Sequence, residues 1–543
     1  MRKWYQEGAV YQIYPRSFKD TNNDGIGDIQ GIISKLDYIK SLGVKTIWLS
    51  PIYKSPLYDF GYDISDYYNI HEDYGTMDDF KLLISEVHKR DLKLIMDLVV
   101  NHTSNQHPWF QEACKSKDSP YHDYYFWKEK PNNWTSFFGG KAWTYNEATN
   151  EYYLHLFAKE QPDLNWDNPK VREEVKKILK FWLDLGVDGF RCDVINIISK
   201  AKGLPNGKFK IALVGLEHYL NGPNVHKYLQ ELKQDVLDHY DCFTVGECTF
   251  ITPDVALSYI ENEKELNMIF QFDHMAADNF LIKWFVRKFK LIRLKKALSK
   301  WQYQINGRGW NTLYFENHDQ PRSVSRFGNE NYRYHSATML ATYLFFQQGT
   351  PFIYQGQEIG MLNAHFTNLD QYQDIETLNV YKIGRKFFSH KNMMKRIKWM
   401  SRDNARTPMQ WDDTINGGFS NVKPWLEVNP NYQEINVQSD LNSNESVIKY
   451  YQSILELRKQ YRVIIDGSYL EHYPKDKDYV YYERRTDCEL LIVLCNYSDK
   501  EKKLKSKYNL NNFKIILSNY QNDTNILKPY ETRVYYKNLG KGN

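Results

Sequence analysis

Asp193, Glu247 and Asp319 each close a short apolar run. Carboxylates gathered from such runs could cut a glycosidic bond: retaining hydrolysis needs two carboxyls roughly 5–5.5 Å apart, one a nucleophile and one an acid/base. The nucleophile must stay ionised, so a cation should stand beside it. Arg191 precedes Asp193 by two positions, which on a strand sets both side chains on one face and would lower the Asp193 pKa. Glu247 follows Val245-Gly246, a small, apolar setting that would raise its pKa for acid work. His102 and His318 could donate hydrogen bonds to sugar hydroxyls. A structural ion-pair network would account for any one of these motifs. Four of them, in order along an alternating chain, ask for a common site.

The runs at 94–102, 187–193, 243–247 and 313–319 must do the positioning. Short β-rich apolar runs read as buried parallel strands, and the carboxyl edge of a parallel sheet is where such folds build their sites. Candidate strands fall at 10–15, 44–50, 93–101, 187–193, 243–247, 268–272, 312–318 and 350–354. Helical patterns lie between most of them. One covers 79–87, with Thr76 as N-cap and Asp79 three residues on. Another opens at Asn168-Pro169 and places Val171, Val175, Ile178, Leu179, Trp182 and Leu183 at helical spacing. Eight strands with following helices predict a (β/α)8 TIM barrel. The stretch rich in Trp, Tyr, Asn and Gly after the third strand reads as an inserted subdomain, and the short alternating runs from about Gly467 read as an antiparallel β-sandwich. The predicted division is 1–103 and 171–466 for the barrel, 104–170 for the insert and 467–543 for the sandwich. The basic stretch 283–296, interleaved with Trp284, Phe285, Phe289, Leu291 and Ile292, reads as a solvated amphipathic helix.

The 543 residues suffice for two or three domains, and 25% charged with 42% hydrophobic residues is a globular composition. A net charge of +4 is small for this length and gives no reason to expect a nucleic-acid partner. Aromatics reach 16%, enough both to pack a core and to offer faces to sugar rings. None of the six cysteines forms a C-x-x-C pair, so zinc and thioredoxin readings fail. No apolar leader segment precedes the first strand and no 18-residue apolar run occurs, so a cytoplasmic protein without a membrane partner is expected.

Asp20-Thr21-Asn22-Asn23-Asp24-Gly25-Ile26-Gly27-Asp28 sets oxygen ligands at alternate positions with Gly at the sixth, as in the first nine positions of an EF-hand loop. Asp20, Asn22, Asp24, the Ile26 carbonyl and Asp28 are the candidate ligands. The twelfth position is Gly31 rather than a bidentate Glu, and no flanking EF helices exist. The loop follows the first strand, so a structural Ca2+ site in a barrel loop is expected, with Mg2+ or a metal-free Asx-turn cluster as alternatives.

In these segments the chain resembles the α-amylase superfamily of glycoside hydrolases, and within it the oligo-1,6-glucosidase group that includes dextran glucosidase, trehalose-6-phosphate hydrolase and isomaltulose synthase. Further stretches carry the resemblance: Gly61-Tyr62-Asp63-Ile64-Ser65-Asp66-Tyr67, Gln161-Pro162-Asp163-Leu164-Asn165-Trp166 and Ser401-Arg402-Asp403-Asn404-Ala405-Arg406. It implies Asp193 as nucleophile, Glu247 as general acid/base and Asp319 as transition-state stabiliser. It further implies Tyr62 stacking on the bound glucose, Asp63 holding the non-reducing end in a pair with Arg406 (or Arg402), and His102, Gln161, Arg191 and His318 on sugar hydroxyls. In this group the residue after the nucleophile tends to be Val in α-1,6-acting enzymes, and here it is Val194; the alternative is that Val simply suits a strand. Glu316, Gln357 and Cys248-Thr249-Phe250 depart from the commonest pattern and leave the acceptor sugar open. The Arg-Leu-Asp-Arg-Asp type motif of the isomaltulose synthases is missing. The resemblance therefore implies a retaining, exo-acting α-1,6-glucosidase that takes small oligosaccharides, needs no organic cofactor, and is a monomer or weak oligomer. A trehalose-6-phosphate hydrolase is the nearest rival, and an α-glucosidase acting on sucrose, isomaltulose or α-1,4 links is the other alternative. A catalytically dead barrel would be expected to lose part of the carboxylate set.

Overall fold

The computed structural model describes residues 2–540 apart from 211, 281, 522 and 523. Eight parallel strands form one sheet: β1 (Val10–Ile13), β2 (Thr46–Leu49), β3 (Lys93–Leu98), β4 (Gly189–Cys192), β5 (Phe243–Glu247), β6 (Met268–Phe270), β7 (Thr312–Leu313) and β8 (Thr350–Tyr354). Their order is β6-β5-β4-β3-β2-β1-β8-β7, and a parallel bridge between Ile269 and Asn311 closes the ring. Nearly every strand residue is buried, as expected of strands covered on both faces. Gly189 opens β4 at φ +151°, where an added Cβ would lie 2.0 Å from the Phe243 carbonyl oxygen, so only glycine lets β4 and β5 approach.

Helices between the strands start where side chains can take up free amides. In α1 (Met77–Lys89), Thr76 and Asp79 exchange hydrogen bonds in a reciprocal capping box, and Phe80, Leu83, Ile84 and Val87 form the buried stripe. In α2 (Pro169–Asp184), Asn168 accepts the Lys170 N–H, and Pro169 fits the first helical position. Trp182 of α2 packs edge-on against Tyr53 and Phe80 and donates its indole N–H to the Tyr67 carbonyl at 2.9 Å. Replacing such a buried aromatic by Ala costs about 3–5 kcal/mol.

The expected helix over 283–296 is corrected: Ile282–Val286 is a strand paired with Asn279–Phe280, and the helix, α3 (Leu291–Ile305), begins later. Trp284 enters a satellite core with Met394, Ile397 and Met400, and that contact overrides helical periodicity. These methionines and Ile397 belong to α5 (His390–Met400), which follows α4 (Ile375–Gly384).

Residues between β3 and α2 include a three-stranded sheet of Trp127–Lys128, Trp143–Asn146 and Glu151–Leu154. The C-terminal strands β9 (Ser468–His472), β10 (Tyr479–Arg485), β11 (Glu489–Asn496), β12 (Lys514–Ser518) and β13 (Thr532–Asn538) make an antiparallel sheet ordered β9-β10-β11-β13-β12. A two-stranded ribbon, Lys502–Lys503 with Ile526–Leu527, accompanies it. Lys295 of α3, fully buried, ties this domain to the barrel by donating to the carbonyls of Tyr473 (2.7 Å) and Tyr479 (3.0 Å). Among the described residues no helix is long and apolar enough to cross a membrane.

Candidate active site

Register brings the first pieces together. Asp97 on β3, Arg191 on β4 and Val245 on β5 are lateral partners. Arg191 is almost fully buried, and its guanidinium reaches Asp97 (2.5 Å), Asp193 (2.6 Å) and Glu247 (2.5 Å). One planar cation thus grips the candidate nucleophile and the candidate acid together, using the fork geometry that Arg offers and Lys lacks. Asp97 balances the cation from behind and accepts the Trp48 indole N–H at 2.9 Å.

Electrostatics separate the two carboxyls. Burial pushes Asp193 up to about 6 even though Arg191 opposes it. Burial pushes Glu247 up to about 7, again against Arg191. Arg191 acts on Asp193 in the expected direction and lowers its pKa, but burial in the same low dielectric outweighs it, so the net shift is upward. The order still leaves Asp193 the stronger acid of the two. Burial would raise Asp319 as well, but His318 and the guanidinia of Arg402 and Arg406 hold it well below the usual carboxylate range.

Asp193 lies just past the end of β4, its N–H bonded to the Leu98 carbonyl at 3.0 Å. Val194 follows at φ 35°, ψ 40°, a left-handed conformation that a β-branched residue rarely adopts. Strand propensity therefore does not explain a valine here. Its N–H points at Glu247 Oε2 (3.4 Å), and its side chain joins a buried cluster with Trp134, Leu156 and Ile197.

Tyr62 stacks on His318, with centroids 5.3 Å apart and planes 5° apart, and its hydroxyl meets His318 Nε2 at 2.7 Å. The other ring nitrogen of His318 meets Gln12 Nε2 at 2.8 Å, and Asp319 stands 3.0 Å from Nε2. His102 Nε2 faces the Tyr62 carbonyl at 3.0 Å, and Gln161 Nε2 donates to that carbonyl at 3.1 Å. Lys200, fully buried, holds Asn101 Oδ1 and Asp163 Oδ2 at 2.8 Å each. That clamp ties the end of β3 to the 161–166 segment and so carries His102 and Gln161 into place.

The expected pair of Asp63 with Arg406 is not formed. Asp63 turns into its own loop and accepts the Ser55 hydroxyl (3.1 Å) and the N–H groups of Tyr58 and Asp59 (3.0 Å each). The acid that meets an arginine is Asp59, and the arginine is Arg402 (3.0 Å). Positive φ at Phe60 (47°) and Gly61 (106°) reverses the chain between the two aspartates and sends them opposite ways. Arg402 also meets Asp374 (2.6 Å) and Asp319 (3.3 Å), while Arg406 donates to Asp319 (2.9 Å) and to the His318 carbonyl (2.9 Å). Asp374 has a second task, capping α4 through the N–H groups of Glu376 and Thr377. Glu376 in turn pairs with Lys283 at 2.5 Å. Asp59, Asp97, Asp374 and Lys200 were not singled out from the sequence. The acid at 59 sits in the same short stretch as Asp63, which was the available signal.

In the 20–28 loop, Asp20 accepts the N–H groups of Asn23 and Gly25 and the Ser420 hydroxyl, and Asp28 caps the helix starting at Ile29. Asn22 and Asp24 accept N–H groups two residues ahead. The oxygen donors are of the kind a hard cation takes, although Asp20 Oδ2 already accepts from both the Gly25 N–H and the Ser420 hydroxyl, and both Asp28 oxygens accept from Thr21. No three His, Cys, Asp or Glu side chains among the described residues gather into a metal cluster.

A family model described as the alpha amylase catalytic domain matches residues 12–467. An oligo-1,6-glucosidase of Parageobacillus thermoglucosidasius is 52% identical over 556 residues, covering 98% of this chain and 99% of the relative. A trehalose-6-phosphate hydrolase of Bacillus subtilis is 46% identical, covering 98% of each. Among solved structures, the trehalose-6-phosphate hydrolase of Bacillus licheniformis superposes with a TM-score of 0.94 at 44% identity, covering 98% of this chain and 100% of that one.

Proposed function

This chain belongs to the α-amylase family of glycoside hydrolases, and we propose that it is a retaining, exo-acting α-glucosidase that removes terminal α-1,6-linked glucose from isomaltose-type oligosaccharides. The observation that carries this is the grip of one guanidinium on both Asp193 and Glu247. Two carboxyls held by one side chain suit the shorter spacing of a retaining pair, roughly 5–5.5 Å. Asp193 attacks the anomeric carbon while Glu247 protonates the departing oxygen; Glu247 then takes a proton from the water that releases glucose. Asp319, kept ionised, stabilises the cationic character that develops between these steps. The Asp59–Arg402–Asp374 network, which also meets Asp319, would close one end of a sugar site, and that suits cleavage of a single terminal sugar.

Val194 supports the α-1,6 choice, since strand propensity does not account for it. The relatives named oligo-1,6-glucosidase support it too, and the similar trehalose-6-phosphate hydrolases favour the second reading, a phosphorylated disaccharide. Hydrolysis rates on isomaltose, maltose, sucrose and trehalose 6-phosphate decide between them; preference for isomaltose sustains the proposal, and preference for the phosphorylated sugar replaces it. The reading further includes a Ca2+ ion held by Asp20, Asn22, Asp24, the Ile26 carbonyl and Asp28, a cytoplasmic location, and a monomer or weak oligomer.

A further inference from the structure

The two most basic stretches of the chain fold against one another. Residues 279–300 contain eight Lys and Arg and no acid, and residues 375–400 contain seven and one acid, Glu376. Together they carry +14 of a chain whose total is +4, leaving −10 over everything else. The stretches meet directly: Arg396 of α5 donates to the Trp284 carbonyl at 2.7 Å and lies over the rings of Phe285 (5.5 Å) and Phe388 (4.7 Å).

Charge crowded in this way is normally neutralised by neighbouring carboxylates. Here Lys283, Lys295 and Lys300 have acidic partners, and the other twelve cations have none within ion-pair distance among the described residues. Lys288, Lys290, Lys386, Lys391 and Lys395 are exposed. The same face leaves apolar side chains in water. Phe387, at the turn between α4 and α5, is 76% exposed, and Phe280 in the adjoining hairpin is 59% exposed. Leu378 and Ile383 of α4 and Ile292 of α3 are exposed as well, and Thr377 is the sole buried residue of α4.

We propose that this face, built from the 279–300 and 375–400 stretches, docks peripherally on an anionic lipid surface. Lysines around a membrane interface are attracted to acidic headgroups, and protruding Phe, Leu and Ile side chains reach the acyl boundary. That no helix among the described residues is long and apolar enough to span a bilayer leaves such attachment open. A second copy of this chain would bring like charge against like charge. A nucleic-acid site would use the cations but has little use for the exposed aliphatic residues.

Flotation of the full chain with vesicles of phosphatidylcholine alone, or mixed with phosphatidylglycerol, tests the proposal. Binding should require phosphatidylglycerol and weaken at high salt. The triple variant K386E/K391E/K395E should bind roughly tenfold or more weakly, and Phe387→Ser should weaken vesicle binding while leaving retention on heparin unchanged. Both variants should keep wild-type melting temperatures and wild-type hydrolysis of soluble substrate. Failure to float with acidic vesicles overturns the proposal. So does binding that withstands the charge reversals. Vesicle binding indifferent to Phe387→Ser marks a general polyanion site and overturns it too.

Discussion

Arg191 works against burial at both Asp193 and Glu247. Without it, two carboxylic acids in this pocket would be driven neutral by the low dielectric; with it, Asp193 rises only to about 6 and Glu247 to about 7. On the proposed roles, activity requires Asp193 ionised and Glu247 protonated. As pH climbs through about 6, Asp193 loses its proton and kcat/KM should rise; as pH passes about 7, Glu247 loses its proton and kcat/KM should fall. The two groups share one cation, so the limbs of the bell belong to the pair. A pH–rate profile flat from 5 to 9 would reject this assignment of roles. Glu247→Gln should cost about 10²–10⁴ in rate on isomaltose but much less in the first step on a nitrophenyl glucoside, whose leaving group needs no proton. Asp193→Asn should lose both substrates by several orders of magnitude while remaining folded. At Arg402 the change to Lys keeps the charge and loses the fork that reaches Asp59, Asp374 and Asp319. KM should rise more than kcat falls, and an unchanged KM would remove Arg402 from sugar binding. These carboxylates were legible in the sequence because each ends an apolar run. The partner of Arg402 was not, because the reversal at Phe60 and Gly61 decides which of two nearby aspartates faces it.

Elements explain the same contrast. All eight barrel strands fall within the runs read from the sequence, since a strand buried on both faces must be apolar throughout. Six of the eight runs were longer than their strands, and functional residues stand in the excess or just beyond it: Asp193, Val194, His318 and Asp319 all lie past a strand end. The 283–296 stretch went wrong because Trp284 pairs with α5, which lies a hundred residues on, and periodicity carries no such information. Long-range pairing also hides Lys200, an isolated lysine in the sequence and a fully buried clamp in the fold. Lys200→Met would leave Asp163 buried without its cation, at a cost of about 3–5 kcal/mol. The melting temperature should fall, and KM should rise because His102 and Gln161 lose their common support. Adding Asp163→Asn should restore part of the stability, as partners in one network couple. Fully additive losses in the double variant would show that Lys200 and Asp163 do not act together.

At the scale of the molecule, the loop after β1 straps the beginning of the barrel to its end. Asp20 accepts the Ser420 hydroxyl, the Gly25 carbonyl accepts the Trp425 N–H, and the Trp425 indole donates to Ser17. Ser17 donates to the Arg406 carbonyl, and Arg406 holds Asp319. A cation bound by Asp20, Asn22, Asp24, Ile26 and Asp28 would stiffen a loop that touches catalysis at two removes. A ligand that binds only the folded state stabilises it by about 2.7 kcal/mol at a hundred times its Kd. Strong chelation should therefore lower the melting temperature by a few degrees, with Ca2+ restoring it. It should also raise KM, since slack at Ser17 reaches Arg406 and Asp319 while Arg191 and its carboxylates, on β3 and β5 and just past β4, remain in place. Replacing Asp20 by Ala should mimic the chelator and make the protein indifferent to it. If chelation moves neither the melting temperature nor KM, the oxygens of this loop serve only its own amides, and the strap holds without a metal.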